Sequence, residues 1–150
     1  MTEFNIEEYL DSLPEDTTSI NLFNKGLTYL PDLSRFKNLK ELDCSYNDLK
    51  VLPNLNETLE ILNCNSNELE LLPELNKNLK VLKCSRNNLR SLPKLKENLR
   101  TIICFYNDLR SLPKLNENLR LLLCSGNNLT LLPELNKNLK QLYCSGNNLI

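Results

Sequence analysis

The sequence predicts an α/β solenoid: a right-handed stack of short coils with a parallel β-sheet on the concave face, extended or polyproline-like segments on the convex side, and a short helical cap at the N-terminus. Three observations carry this expectation. A twenty-residue frame recurs without insertion at residues 39–58, 59–78, 79–98, 99–118 and 119–138, and its first twelve positions recur at 139–150. Self-similarity at a fixed short period means units that bury apolar side chains against their neighbours, not around one central core. Leucine fills 37 of the 150 positions while Trp and His are absent, as expected when one residue type occupies equivalent inward sites. The first 16 residues stand outside the period and hold Glu3, Glu7, Glu8, Asp11, Glu15 and Asp16 with no Lys or Arg.

Residues 1–16 form the expected cap. Asn5 can N-cap a helix within residues 4–13, with Glu8 completing a capping box and Phe4 and Tyr9 forming a hydrophobic staple. Pro14 then ends the segment, and the helix covers the apolar edge of the first coil. Residues 17–38 are a divergent 22-residue first repeat. Ile20, Leu22, Leu27, Leu30, Pro31 and Leu33 stand 22 positions before Leu42, Cys44, Leu49, Leu52, Pro53 and Leu55. The two extra residues fall near 35–37, where Phe36 fills the added space. Residues 39–150 then hold five twenty-residue repeats plus a partial sixth, all in a single domain.

The frame is L-x-x-L-x-C-x-x-N-x-L-x-x-L-P-x-L-x-x-x. In the unit 99–118, period-2 alternation over a short strand sends Ile102 and Cys104 inward and Thr101, Ile103 and Phe105 outward. Leu99, Leu109, Leu112 and Leu115 fill the rest of the coil, and Pro113 suits an extended return arc. Twenty residues leave no room for a helix on that arc. Asn47, Asn67, Asn87, Asn107, Asn127 and Asn147 recur where the chain leaves the strand. Turning there strands backbone polar groups, which an Asn amide can pair as a ladder between coils.

This frame resembles the leucine-rich repeat family, whose pattern L-x-x-L-x-L-x-x-N/C-x-L is matched by Leu79, Leu82, Cys84, Asn87 and Leu89. The resemblance covers residues 17–150. The twenty-residue length with Leu-Pro after the strand is similar to the short class found in effector proteins of intracellular bacteria, and to repeats of giant viruses that infect amoebae. Many effector repeats carry L-P-x-L-P; here the second Pro is replaced by Asn56, Asn76, Lys96, Asn116 and Asn136. The resemblance implies a non-enzymatic protein-binding module, a pathogen or viral factor acting in a host-cell cytosol. An alternative is the substrate-recognition part of an effector ubiquitin-ligase-like system, and a third is a self-assembling structural repeat protein.

The formal net charge of −1 gives no global reason to expect nucleic acid or a membrane surface as partner. Neither a signal-peptide run nor a transmembrane segment is seen, which predicts a cytoplasmic protein. Residues 83–120 are locally basic, with nine bases against Glu97, Asp108 and Glu117, a distribution that can steer an acidic partner. The six cysteines all lie twenty residues apart at one inward position. They form a line, not a tetrahedral metal set, and their parallel Cβ vectors suit disulfides poorly. They are expected to act as small buried hydrophobes. Without His, Ser-His and Cys-His nucleophiles are excluded, and the three glycines do not cluster as a phosphate loop. The expectation is therefore no enzyme activity and no cofactor or metal.

The outward positions are those the frame does not dictate. Across successive strands they run Glu41, Ile61, Val81, Thr101, Leu121, Gln141, then Asp43, Asn63, Lys83, Ile103, Leu123, Tyr143, then Ser45, Asn65, Ser85, Phe105, Ser125, Ser145. The early rows are polar and acidic; the later rows turn apolar, although coil packing needs no large apolar group there. Exposed apolar patches mark interaction sites, and aromatics and Arg recur at hot spots. The candidate protein-binding residues are Ile61, Val81, Lys83, Arg86, Ile103, Phe105, Tyr106, Leu121, Leu123 and Tyr143. The sequence stops at Leu149 and Ile150, part-way through a coil; either that end frays or it packs against a second copy, and the expectation leans to a homo-oligomer formed through the uncapped coil.

Overall fold

The computed structural model describes residues 2–150. Helix α1 spans Ile6–Asp11, capped by Asn5, whose Oδ1 accepts the Glu8 N–H at 3.0 Å. The Phe4 and Tyr9 rings meet at 5.4 Å between centroids, as a staple requires. The helix is shorter than expected, because its last turn tightens: the Ser12 N–H is shared between Glu8 and Tyr9 and the Leu13 N–H bonds Leu10, three residues back. Ile6 and Leu10 are its buried face. Arg35, in the two-residue expansion of the first repeat, donates to the Leu10 carbonyl and lies 4.2 Å over the Phe36 ring. The extra residues thus tie the cap to the array, and Phe36 is wholly buried.

Seven three-residue strands follow: β1 Ser19–Asn21, β2 Glu41–Asp43, β3 Ile61–Asn63, β4 Val81–Lys83, β5 Thr101–Ile103, β6 Leu121–Leu123 and β7 Gln141–Tyr143. They form one parallel sheet in sequence order. Register steps by 22 from Ile20 to Leu42, then by 20 through Leu62, Leu82, Ile102, Leu122 and Leu142. Because the sequence period equals the register step, each column of the sequence is a physical column of the sheet. The inward residues from Ile20 to Leu122, and Cys44 to Cys124, are buried. The return arcs contain neither helix nor strand. Leu109 and Leu115 are buried as expected, whereas Leu112 is only half-buried.

The asparagines at the strand exits form the predicted ladder. Asn107 Oδ1 accepts the Leu89 N–H at 3.0 Å, while its Nδ2 donates to the carbonyls of Cys84 at 3.0 Å and Cys104 at 3.4 Å. Asn67, Asn87 and Asn127 repeat this pattern, and all are buried. A second ladder occupies the position where many effector repeats have Pro. Asn76 Nδ2 donates to Leu59 O at 3.0 Å, Asn116 to Leu99 O at 2.7 Å, and Asn136 to Leu119 O at 3.2 Å. Lys96 interrupts it and pairs with Glu74 at 2.9 Å. Proline has no side-chain donor, so the Asn substitution adds a tie between coils.

Candidate protein-binding face

The strand pairing places the outward columns side by side on the concave face. Ile103, Leu121 and Leu123 are half-buried, and Tyr143 beside Leu123 is 58% exposed. Each shelters behind its cross-strand neighbours but keeps a strip open to solvent. Ile61 and Val81 continue the Leu121 column on β3 and β4, separated from it by Thr101. Lys83 stands beside Ile103, at the edge of the apolar rows.

Earlier rows satisfy their polar groups internally. Asp43 Oδ1 accepts the Ser45 N–H at 2.9 Å and also the Ser45 hydroxyl, and Asn63 Nδ2 donates to Asp43 Oδ2 at 3.2 Å. The Phe105 N–H donates to Ser85 Oγ at 2.9 Å, so the row before the apolar patch orients Phe105.

Just past the strands runs a column that the sequence reading did not recognise as conformationally special. Tyr46, Ser66, Arg86 and Tyr106 have φ of 58°, 55°, 55° and 53°, and Gly126 and Gly146 continue at 69° and 64°. Non-glycine residues in this left-handed region lose about 1–2 kcal/mol each. The two glycines sharing one frame position were the available signal, since glycine is the default where φ is positive. Arg86 and Tyr106 make a contact here: the guanidinium lies 4.9 Å over the ring. The same ring covers Gly126, where a Cβ would come within 2.5 Å of Tyr106 Cδ1. Phe105 lies 6.4 Å from Tyr106 between ring centroids. The structure thus gathers Arg86, Phe105 and Tyr106 into a ridge flanking Ile103.

Among the described residues no group of His, Cys, Asp or Glu could hold a metal ion. All six cysteines are free, and five are buried. Burial pushes the Cys44 thiol up to about 12 and Cys124 up to about 11, and raises Cys64, Cys84 and Cys104 as well. Such thiols stay protonated and inert at neutral pH. Glu60 is held between Lys80 at 2.7 Å and Lys40 at 2.9 Å, whose hydrogen bonds lower its carboxyl to about 2. Leu135 and Leu149, in the last two repeats, are exposed.

The chain is a leucine-rich repeat solenoid. Its fold matches YopM from Yersinia enterocolitica WA-314 with a TM-score of 0.87 and 35% identity, over 95% of this chain and 31% of that one. A Shigella effector leucine-rich repeat domain matches at 0.84 and 34% identity, over 95% of this chain and 63% of that one. YopM from Yersinia pestis, a leucine-rich effector protein, matches at 0.65 and 34% identity, over 81% of this chain and 41% of that one. The chain thus spans less than two thirds of each of these. No protein-family model and no curated protein matches it. The likeness to effector-type repeats read from the Leu-Pro frame agrees with these structures. Among the described residues no helix is long and apolar enough to cross a membrane.

Proposed function

We propose that this leucine-rich repeat chain is a non-enzymatic interaction module that binds a partner protein through the concave face, centred on Ile103, Phe105, Tyr106, Leu121, Leu123 and Tyr143. In this reading residues 1–16, 17–38 and 39–150 act together as one domain: cap, adapted first repeat and display array. The observation that carries it is the placement of large apolar side chains on the outward columns of β5 to β7, where the frame accepts Glu41, Asp43 or Ser45 equally well. The left-handed Arg86–Tyr106 ridge adds support, because strain held in place beside an exposed patch is a mark of use. Similarity to effector repeat domains supports action in the cytosol of a host cell.

The test is capture of partners from a host-cell lysate on immobilised protein, quantified by mass spectrometry. Phe105→Ala combined with Leu123→Ala is expected to preserve the fold and to reduce recovery of a stoichiometric partner. Partner recovery indifferent to both changes would remove the patch as the site. Recovery of ubiquitin-ligase machinery would favour the substrate-recognition alternative, and recovery of this chain alone would favour self-assembly.

A further inference from the structure

We infer that the positions just before β5, β6 and β7 carry an acid-reading strip, Arg100, Arg120 and Lys140, which takes an acidic segment of the partner protein. The inference rests on the concave face being a protein-binding surface, and it adds the chemistry of what is bound.

The strip belongs to a continuous column. Glu60 N–H donates to Lys40 O, Lys80 to Glu60, Arg100 to Lys80, Arg120 to Arg100 and Lys140 to Arg120, each at 2.8 Å. Parallel-ladder bonding of this kind sets neighbours about 4.8 Å apart. The two halves of the column differ in charge balance. Lys40 and Lys80 share the Glu60 carboxylate. Arg100, Arg120 and Lys140 are exposed, and among the described residues no carboxylate lies within ion-pair distance of them. Like charges on adjacent strands repel. The frame does not require a base here, since Glu60 occupies the same position. The unbalanced triplet is therefore not a by-product of folding.

Glu60 shows what relieves such a column. One carboxylate bridges the cations on either side of it, and both contacts are short. A partner Asp or Glu laid over Arg100 and Arg120 would likewise bridge two cations, here immediate neighbours in the column, with guanidinium forks in place of ammonium groups. The surroundings select a polypeptide over a polynucleotide. Arg120 immediately precedes Leu121 in the apolar column, so the strip is continuous with an aliphatic surface that a phosphodiester backbone cannot use. A polyanion that follows the column toward β2 would run into Glu60 and the neighbouring Glu41 and Asp43, so the unopposed charge lies only at the Arg100 to Lys140 end. A short acidic segment with adjoining apolar side chains fits both surfaces.

The probe is a fluorescein-labelled decaglutamate peptide, followed by fluorescence anisotropy against the whole chain at low and high salt. The wild type is expected to bind it, with affinity falling as salt rises. Arg100→Gln with Arg120→Gln is expected to weaken binding by at least about fivefold. The charge-matched control Arg90→Gln with Arg110→Gln is expected to change it by less than about twofold. Phe105→Ala with Leu123→Ala should retain decaglutamate binding, because the peptide has no apolar side chain, so failure of the strip and failure of the apolar patch are read separately. Circular dichroism and thermal melting of each variant confirm that losses are not unfolding. No decaglutamate binding by the wild type, equal losses in the two Arg pairs, or tighter binding of an oligothymidylate of matched charge would each overturn the inference.

Discussion

The coils built on β2 and β5 contain the same frame and display opposite chemistry. Inside, Leu42 matches Ile102, Cys44 matches Cys104, Asn47 matches Asn107 and Leu49 matches Leu109, all buried. On the outward columns Glu41 and Asp43 stand where the β5 coil has Thr101 and Ile103, and Ser45, which is buried, stands where it has the half-buried Phe105. In the β2 coil the outward polar atoms bond to one another, as Ser45 does to Asp43. In the β5 coil two of the three outward side chains, Ile103 and Phe105, are apolar, and all three remain partly open. The inward positions are constrained by two neighbouring coils at once, whereas an outward position is constrained only by its column. Coil packing and surface chemistry are therefore carried by separate residues of the same short strand, a separation that lets one vary without the other.

The largest effect that would test the shared frame is alkaline unfolding. Burial raises the Cys44 thiol from 9.0 to about 12 and raises Cys64, Cys84 and Cys104 too. A raised folded pKa gives stability that is complete below the unfolded value and is lost as pH climbs toward the folded one. Between about pH 9 and 12, unfolded thiols ionise while folded ones do not, so each contributes a loss of up to about 1.4 kcal/mol per pH unit. Urea unfolding at pH 8 and pH 10 should show a marked drop, and a flat profile would contradict a buried thiol column. Next in size, Leu42→Ala and Ile102→Ala should each cost about 2–5 kcal/mol, at similar cost in the two coils despite their different surfaces. Asn107→Ala should cost about 1–3 kcal/mol, because it orphans the Leu89 N–H and leaves the Cys84 and Cys104 carbonyls only their second donors, Asn87 and Asn127. Smaller again, Ile103→Thr should stay within about 1 kcal/mol in stability while weakening partner capture. The smallest expected change is Tyr106→Gly. Relief of about 1 kcal/mol at the left-handed position opposes loss of a cation–π contact worth about 0.5–1 kcal/mol, so the melting point should hardly move. A large drop would mean the ridge is part of the frame.

What the sequence showed and what it hid divide along the same line. The period exposed the coil, the inward Leu and Cys columns and the Asn exit ladder, because each needs only equivalent positions recognised as equivalent. Asn5 and Phe4 with Tyr9 were legible because capping acts over a few residues. The left-handed column is hard to read because Tyr46, Arg86 and Tyr106 are poor advertisements for positive φ, and Asn24, Gly126 and Gly146 alone betray it. The second ladder reads in the sequence only as a departure from L-P-x-L-P, since bonds such as Asn136 to Asn116 join successive repeats and leave no local pattern. The candidate face was assembled from columns, which the register confirms as neighbours. The contact of Tyr106 with Gly126 depends on ring placement, which no period specifies.

The exit-ladder bonds also have a direction. Asn107 reaches back to Leu89 and Cys84, Asn127 to Leu109 and Cys104, and Asn147 to Leu129 and Cys124. Each coil completes the one made before it and is left waiting for the one after. During synthesis the newest coil is therefore always the unfinished one, and every finished coil is locked by its successor. The array can be built like a zipper from its capped end, with order advancing in the direction in which the ribosome delivers the chain.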